Sequence, residues 1–66
     1  MENNEKLAMA MRTKRLQSGQ TQAEAASHLG IPRPAYACFE QGKTVPTVFE
    51  LHSLAALFRC TMDSFF

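Results

Sequence analysis

The stretch TQAEAASHLGIPRPAYACFEQGK, Thr21 to Lys43, decides the fold. Thr21 with Glu24 three residues on forms a capping box, in which hydroxyl and carboxylate each satisfy a backbone N–H at the start of a helix. Ala23, Ala25, Ala26 and Leu29 are strong helix formers, and the alanines are small enough for a second helix to approach closely. Gly30 stops this helix. Ile31 and Pro32 turn the chain, and the next helix is expected from about Arg33, with Pro34 in its first turn, where a missing N–H loses no intrahelical bond. It runs to about Gln41, and Gly42 supplies the permissive residue just past its end. Two short helices joined by a glycine-containing turn, here residues 21–42, imply a DNA-binding unit in so small a chain.

At 66 residues the chain holds one domain, near the lower size at which a hydrophobic core suffices alone, so dimerisation would help. A multi-step active site with its own pocket would be hard to house. The net charge of +1 says little, but its distribution says more. Arg12, Lys14, Arg15, Arg33 and Lys43 against Glu24 and Glu40 give the segment 12–43 a charge of +3, while Lys6 and Arg59 against Glu2, Glu5, Glu50 and Asp63 leave the flanks at −2. The N-terminal MENNEKLAMAMRTKR has no apolar run suited to a signal peptide or membrane span, so a cytoplasmic protein without a membrane partner is expected. Cys38 and Cys60 make no disulfide framework in that compartment.

Working outward, residues 1–5 are polar and read as a flexible tail, followed by a single domain over 6–66. From Lys6 to Ser18, Leu7, Ala8, Met11 and Leu16 recur at helical spacing, and Gly19 closes helix 1. After a loop at 43–46, a second capping box, Thr47 with Glu50, opens helix 4, whose stripe is Val48, Leu51, Leu54, Ala55, Leu57 and Phe58. Thr61 caps a final short helix containing Met62, Phe65 and Phe66. No strand signal or internal repeat interrupts this pattern, so the class is all-α with five helices.

The series Arg15, Gln22, Ala26, Leu29, Gly30, Glu40, Gly42, Lys43, Pro46, Leu54, Ala55 and Asp63 resembles the Cro/C1-type (XRE-like) helix-turn-helix family of phage repressors and small bacterial regulators. The likeness covers about Leu7 to Phe66. Its most specific part is the order Gln22, Gly30, then Glu40-Gln41-Gly42-Lys43. The resemblance implies a five-helix lambda-repressor-like domain that binds double-stranded DNA. It implies a phosphate clamp at Gln22, and an ion pair between Arg15 and Glu40 that ties helix 1 to the end of helix 3 and is structural.

On helix 3, Arg33, Pro34, Ala37, Cys38 and Gln41 share one face and are assigned to base contacts, while Ala35, Tyr36 and Phe39 face the core, with the tyrosine hydroxyl reaching the rim. The Arg33 guanidinium suits O6 and N7 of guanine, worth roughly 1–3 kcal/mol of discrimination, with a phosphate contact as its alternative role. Pro34, Ala37 and Cys38 depart from the polar side chains usual in the family and leave thymine-methyl contact and DNA shape as means of readout. Phosphate contacts are assigned to Gln22, whose amide lies in the first turn of helix 2, to Thr21, which is chiefly a cap, and to Arg12 and Lys43. For these the alternative is a solvated surface group. Cys38 carries a second reading as a redox switch.

His28, Cys38, His52 and Cys60 have spacing poor for zinc, a surface His28 and a partly packed His52 being the simpler reading. Neither a Ser/His/Asp set nor paired carboxylates can be argued, so no cofactor and no enzyme activity are expected. One domain makes few DNA contacts, and a homodimer on a pseudo-palindromic operator doubles them. Phe58, Arg59, Cys60, Thr61, Phe65 and Phe66 are assigned to its interface, the alternative for both terminal phenylalanines being the core. Arg59 stands where helix C-termini favour left-handed Gly, which implies either tolerated strain or a dimer contact. The rival function is a protein-interaction module, antirepressor or antitoxin-like, that keeps the fold without reading DNA.

Overall fold

The structure, a computed structural model, describes residues 2–66. It comprises α1 (Glu2–Gln17), α2 (Gln22–Leu29), α3 (Arg33–Gln41), α4 (Val48–Phe58) and one 3₁₀ turn, η1 (Met62–Phe65), with no strand among the described residues. The expected fifth helix is therefore a single tight turn. Thr61 occupies its N-cap position with extended backbone, but its side chain makes no capping bond. The closing bonds, Ser64 N–H to Thr61 C=O at 3.1 Å and Phe66 N–H to Asp63 C=O at 3.0 Å, have the i→i+3 spacing that defines a 3₁₀ turn.

Helix α1 starts at Glu2, not Lys6, so residues 2–5 of the expected tail are helical, and Met1 lies outside the described residues. The early start has a packing partner. A Cβ built on Gly42, at the end of α3, would lie 3.8 Å from the Asn4 carbonyl oxygen, so the first turn of α1 rests against the α3 terminus.

Both capping boxes form as the sequence indicates. Thr21 Oγ1 accepts from Glu24 N–H at 3.0 Å while Glu24 Oε1 accepts from Thr21 N–H at 2.8 Å. Thr47 and Glu50 repeat the pattern at 3.1 and 2.8 Å. Gly30 (φ 72°) and Gly42 (φ 76°) take the left-handed conformation past α2 and α3. Each lets the following N–H, Ile31 to Ala26 C=O and Lys43 to Cys38 C=O, close the helix at 3.0 Å.

Arg59 does the same after α4 with a side chain that disfavours it. It is the one non-glycine residue at positive φ among the described residues (φ 58°, ψ 47°), and Cys60 N–H reaches Ala55 C=O at 3.0 Å. Arg59→Gly is expected to relieve about 1 kcal/mol of strain, partly offset by the greater unfolded-state entropy of glycine. Thermal melts at several protein concentrations check this. A small gain at every concentration marks strain alone, whereas a loss confined to dilute protein marks a dimer contact.

The core joins Leu7 and Met11 of α1, Ala25 and Ala26 of α2, Tyr36 and Phe39 of α3, Leu51, Leu54, Ala55 and Phe58 of α4, and Phe65 of η1. Helix α2 packs on α3 and α4 through its two alanines, and α1 closes over α3. The Tyr36 and Phe39 rings meet edge to face, with centroids 6.0 Å apart.

Three expected core residues lie elsewhere. The buried stripe of α1 runs Leu7, Met11, Arg15 at i, i+4, i+8, which turns Leu16 outward to 57% exposure. Val48 continues the α4 stripe by spacing but stands at the first position of the helix, where burial runs out. Ala35 is exposed, one position off the pair Tyr36 and Phe39 that defines the buried face of α3. His52 is exposed rather than partly packed.

Candidate nucleic-acid interface

The site is built on one buried carboxylate. Glu40, near the end of α3, accepts from Arg15 Nε (Oε2, 2.7 Å) and Arg15 Nη2 (Oε1, 3.2 Å), a two-pronged pair that joins α1 to α3. Arg15 Nη1 donates onward to the Gln20 carbonyl at 2.9 Å, fixing the loop that leads into α2. Tyr36 Oη donates to Glu40 Oε2 at 2.6 Å, so the tyrosine is wholly buried and its hydroxyl points inward, not to the rim. Gln22 Nε2 completes the set, donating to Glu40 Oε1 at 3.1 Å. An ionised carboxylate only accepts, so the amide must turn its nitrogen to Glu40.

Electrostatics favour this charge state. Burial is the strongest single influence on Glu40 and disfavours its charge, but the hydrogen bonds from Arg15, Tyr36 and Gln22, together with the arginine charge, outweigh it and hold the carboxyl below its ordinary value. Arg15 is raised, chiefly by its hydrogen bond to Glu40. Tyr36 is pushed upward by burial and then by the same carboxylate, so it remains a neutral donor.

Of the residues assigned to phosphate, Gln22 is the one bonded to this anchor among the described residues. Gln22 is the first residue of α2, where the leading N–H groups lack intrahelical acceptors and the helix dipole is positive. Its half-buried side chain is held at the end of α3 rather than free. Thr21 spends an oxygen lone pair on its cap and keeps its hydroxyl hydrogen available as a donor. Lys43, one residue past Gly42, and Arg12, on α1 three positions before Arg15, are exposed.

Of the α3 face assigned to bases, Arg33, Pro34 and Gln41 are exposed, while Ala37 and Cys38 are half-buried and present less surface than their helical spacing implies. Arg33 stands at the first position of α3, with no carboxylate in ion-pair range among the described residues. The residues assigned to a dimer interface divide sharply. Phe58 and Phe65 are core residues, 4% and 2% exposed, because both close the apolar space between α1 and α4, while Phe66 is 82% exposed. Arg59 and Thr61 are exposed and Cys60 half-buried.

Two partners of Glu40 were missed from the sequence. Tyr36 was readable, since i and i+4 share a helix face. Gln22 lies 18 positions away and carries no local signal. Among the described residues no three His, Cys, Asp or Glu side chains gather as metal ligands, and no helix is long and apolar enough to cross a membrane.

In keeping with the resemblance drawn from the sequence, residues 6–64 match the family described as helix-turn-helix domain. No curated protein matches the chain.

Proposed function

We propose, starting from a chain that belongs to the helix-turn-helix domain family, that it is a sequence-specific regulator of transcription acting as a repressor on double-stranded DNA. Two subunits would place α3 in successive major grooves of a pseudo-palindromic operator, and repression follows where that operator overlaps a promoter. The observation that carries this reading is the bond that holds Gln22, at the start of α2, to Glu40 near the end of α3, with Thr21 next to it in the chain and Lys43 following α3, beside a helix whose Arg33, Pro34 and Gln41 are open to solvent. Arg33 reads guanine, Gln41 and the small side chains add contacts to neighbouring bases, and Arg12, Thr21, Gln22 and Lys43 hold phosphates. The likeness to Cro/C1-type repressors supports the same assignment and a cytoplasmic location.

Self-association would use the C-terminal segment. Phe66 and Val45, 82% and 53% exposed, line a groove with Leu7 and Ala10, and Arg59, Cys60 and Thr61 add surface nearby in the chain. Phe58 and Phe65 support that surface from within. Selection from random duplex DNA tests the whole reading. Recovered sites are expected to contain two related half-sites about one helical turn apart. Recovery of no common sequence would favour the rival, an interaction module, for which the scarcity of hydrogen-bonding groups at Pro34, Ala37 and Cys38 already argues.

A further inference from the structure

We propose that Glu40 is a positioning residue for DNA: it holds the Gln22 amide so that one N–H is spent on the carboxylate and the other is presented to a phosphate. The inference rests on the DNA-binding reading above and adds a role for the buried cluster beyond stability.

A glutamine side chain at a helix start ordinarily samples several rotamers, and its amide can offer either oxygen or nitrogen to a neighbour. A phosphate takes only donors. An amide that turns its oxygen outward therefore repels the ligand, and ordering a free side chain at the moment of binding costs entropy. Glu40 removes both costs. Its carboxylate can accept only from Nε2, here at 3.1 Å, which fixes the amide face and leaves the second N–H of the same nitrogen unspent on Glu40.

Glu40 is itself immobilised by Arg15 on two atoms and by the Tyr36 hydroxyl at 2.6 Å. Arg15 also neutralises the carboxylate, so a negative group can sit close to a phosphate site without repelling it. Tyr36 and Arg15 thus act through Glu40, and Glu40 through Gln22.

A double-mutant cycle on DNA affinity separates this role from a merely structural one. Gln22→Ala is expected to weaken binding to duplex DNA roughly tenfold in the parent protein and less than about threefold in a Glu40→Gln background, because an amide at 40 no longer selects the orientation of its neighbour. The uncompensated Arg15 charge in Glu40→Gln affects both arms equally and cancels. An equal loss in both backgrounds overturns the positioning role while leaving the DNA reading intact. No loss for Gln22→Ala in the parent removes Gln22 from the site and the inference with it, and absence of any DNA binding at low salt defeats the underlying reading instead.

Side-chain NMR of the DNA-free parent gives a check independent of how the variants fold. The Gln22 amide is expected to have an order parameter near that of rigid backbone, about 0.85, and a value below about 0.6 would contradict a held side chain.

Discussion

Glu40→Ala is expected to lower the unfolding free energy by about 3–5 kcal/mol, the range for breaking a buried ion pair from one side. The Glu40 side chain is only 3% exposed, and its removal strands the Arg15 guanidinium, the buried Tyr36 hydroxyl and the Gln22 amide together. Arg15→Ala should cost less, since Glu40 keeps Tyr36 and Gln22 as donors. A domain of this size has a total stability of roughly 3–10 kcal/mol, so the glutamate variant is expected to sit close to unfolding at ambient temperature. Urea titration measures both variants, and the double replacement should lose less than the sum of the two. Additive losses would show that the pair contributes nothing as a pair.

The same carboxylate sets an acid dependence. Its folded pKa lies below its unfolded value, so its contribution is fully present above the ordinary carboxylate range and disappears as pH falls through the folded value. Parent stability should therefore drop on the acid side, and the Glu40→Ala variant should lack that part of the drop.

Arg33→Ala is expected to act on recognition and not on folding. The residue is exposed, begins α3, and supports no buried group. Losing a two-pronged guanine contact should cost roughly 1–3 kcal/mol for the selected operator and much less for random DNA, so the ratio of the two affinities should fall roughly tenfold or more. Titrating parent and variant with both DNAs at one salt concentration reads this directly. Equal losses on the two would reassign Arg33 to the phosphate backbone.

Much of this architecture was legible because local chemistry and global packing agree. Thr21 with Glu24 and Thr47 with Glu50 mark helix starts, and Gly30 and Gly42 mark helix ends, through bonds that span only a few residues. What the sequence hid depends on contacts between distant segments. The first turn of α1 gains its place from the α3 terminus near Gly42, so its polar composition alone suggested a tail. Leu16 and Val48 are apolar yet exposed, because burial stops where no second element covers the helix.

The site divides in the same way. The Arg15–Glu40 pair followed from the family resemblance, and its geometry agrees. That Gln22 belongs to the same cluster, and that Tyr36 turns its hydroxyl inward, needed the packing of α2 against α3. Phe65 and Phe66 are adjacent and chemically identical, so only the fold could separate a core residue from an exposed one.

The salt dependence of binding to duplex DNA tests the central claim most directly. With Arg12 and Lys43 of each subunit neutralising about four phosphates, the log–log slope should lie near −3 to −4, and affinity should fall roughly a hundredfold between about 50 and about 200 mM salt. Binding that is absent at the lower concentration, or unchanged across the range, would contradict a DNA-binding role.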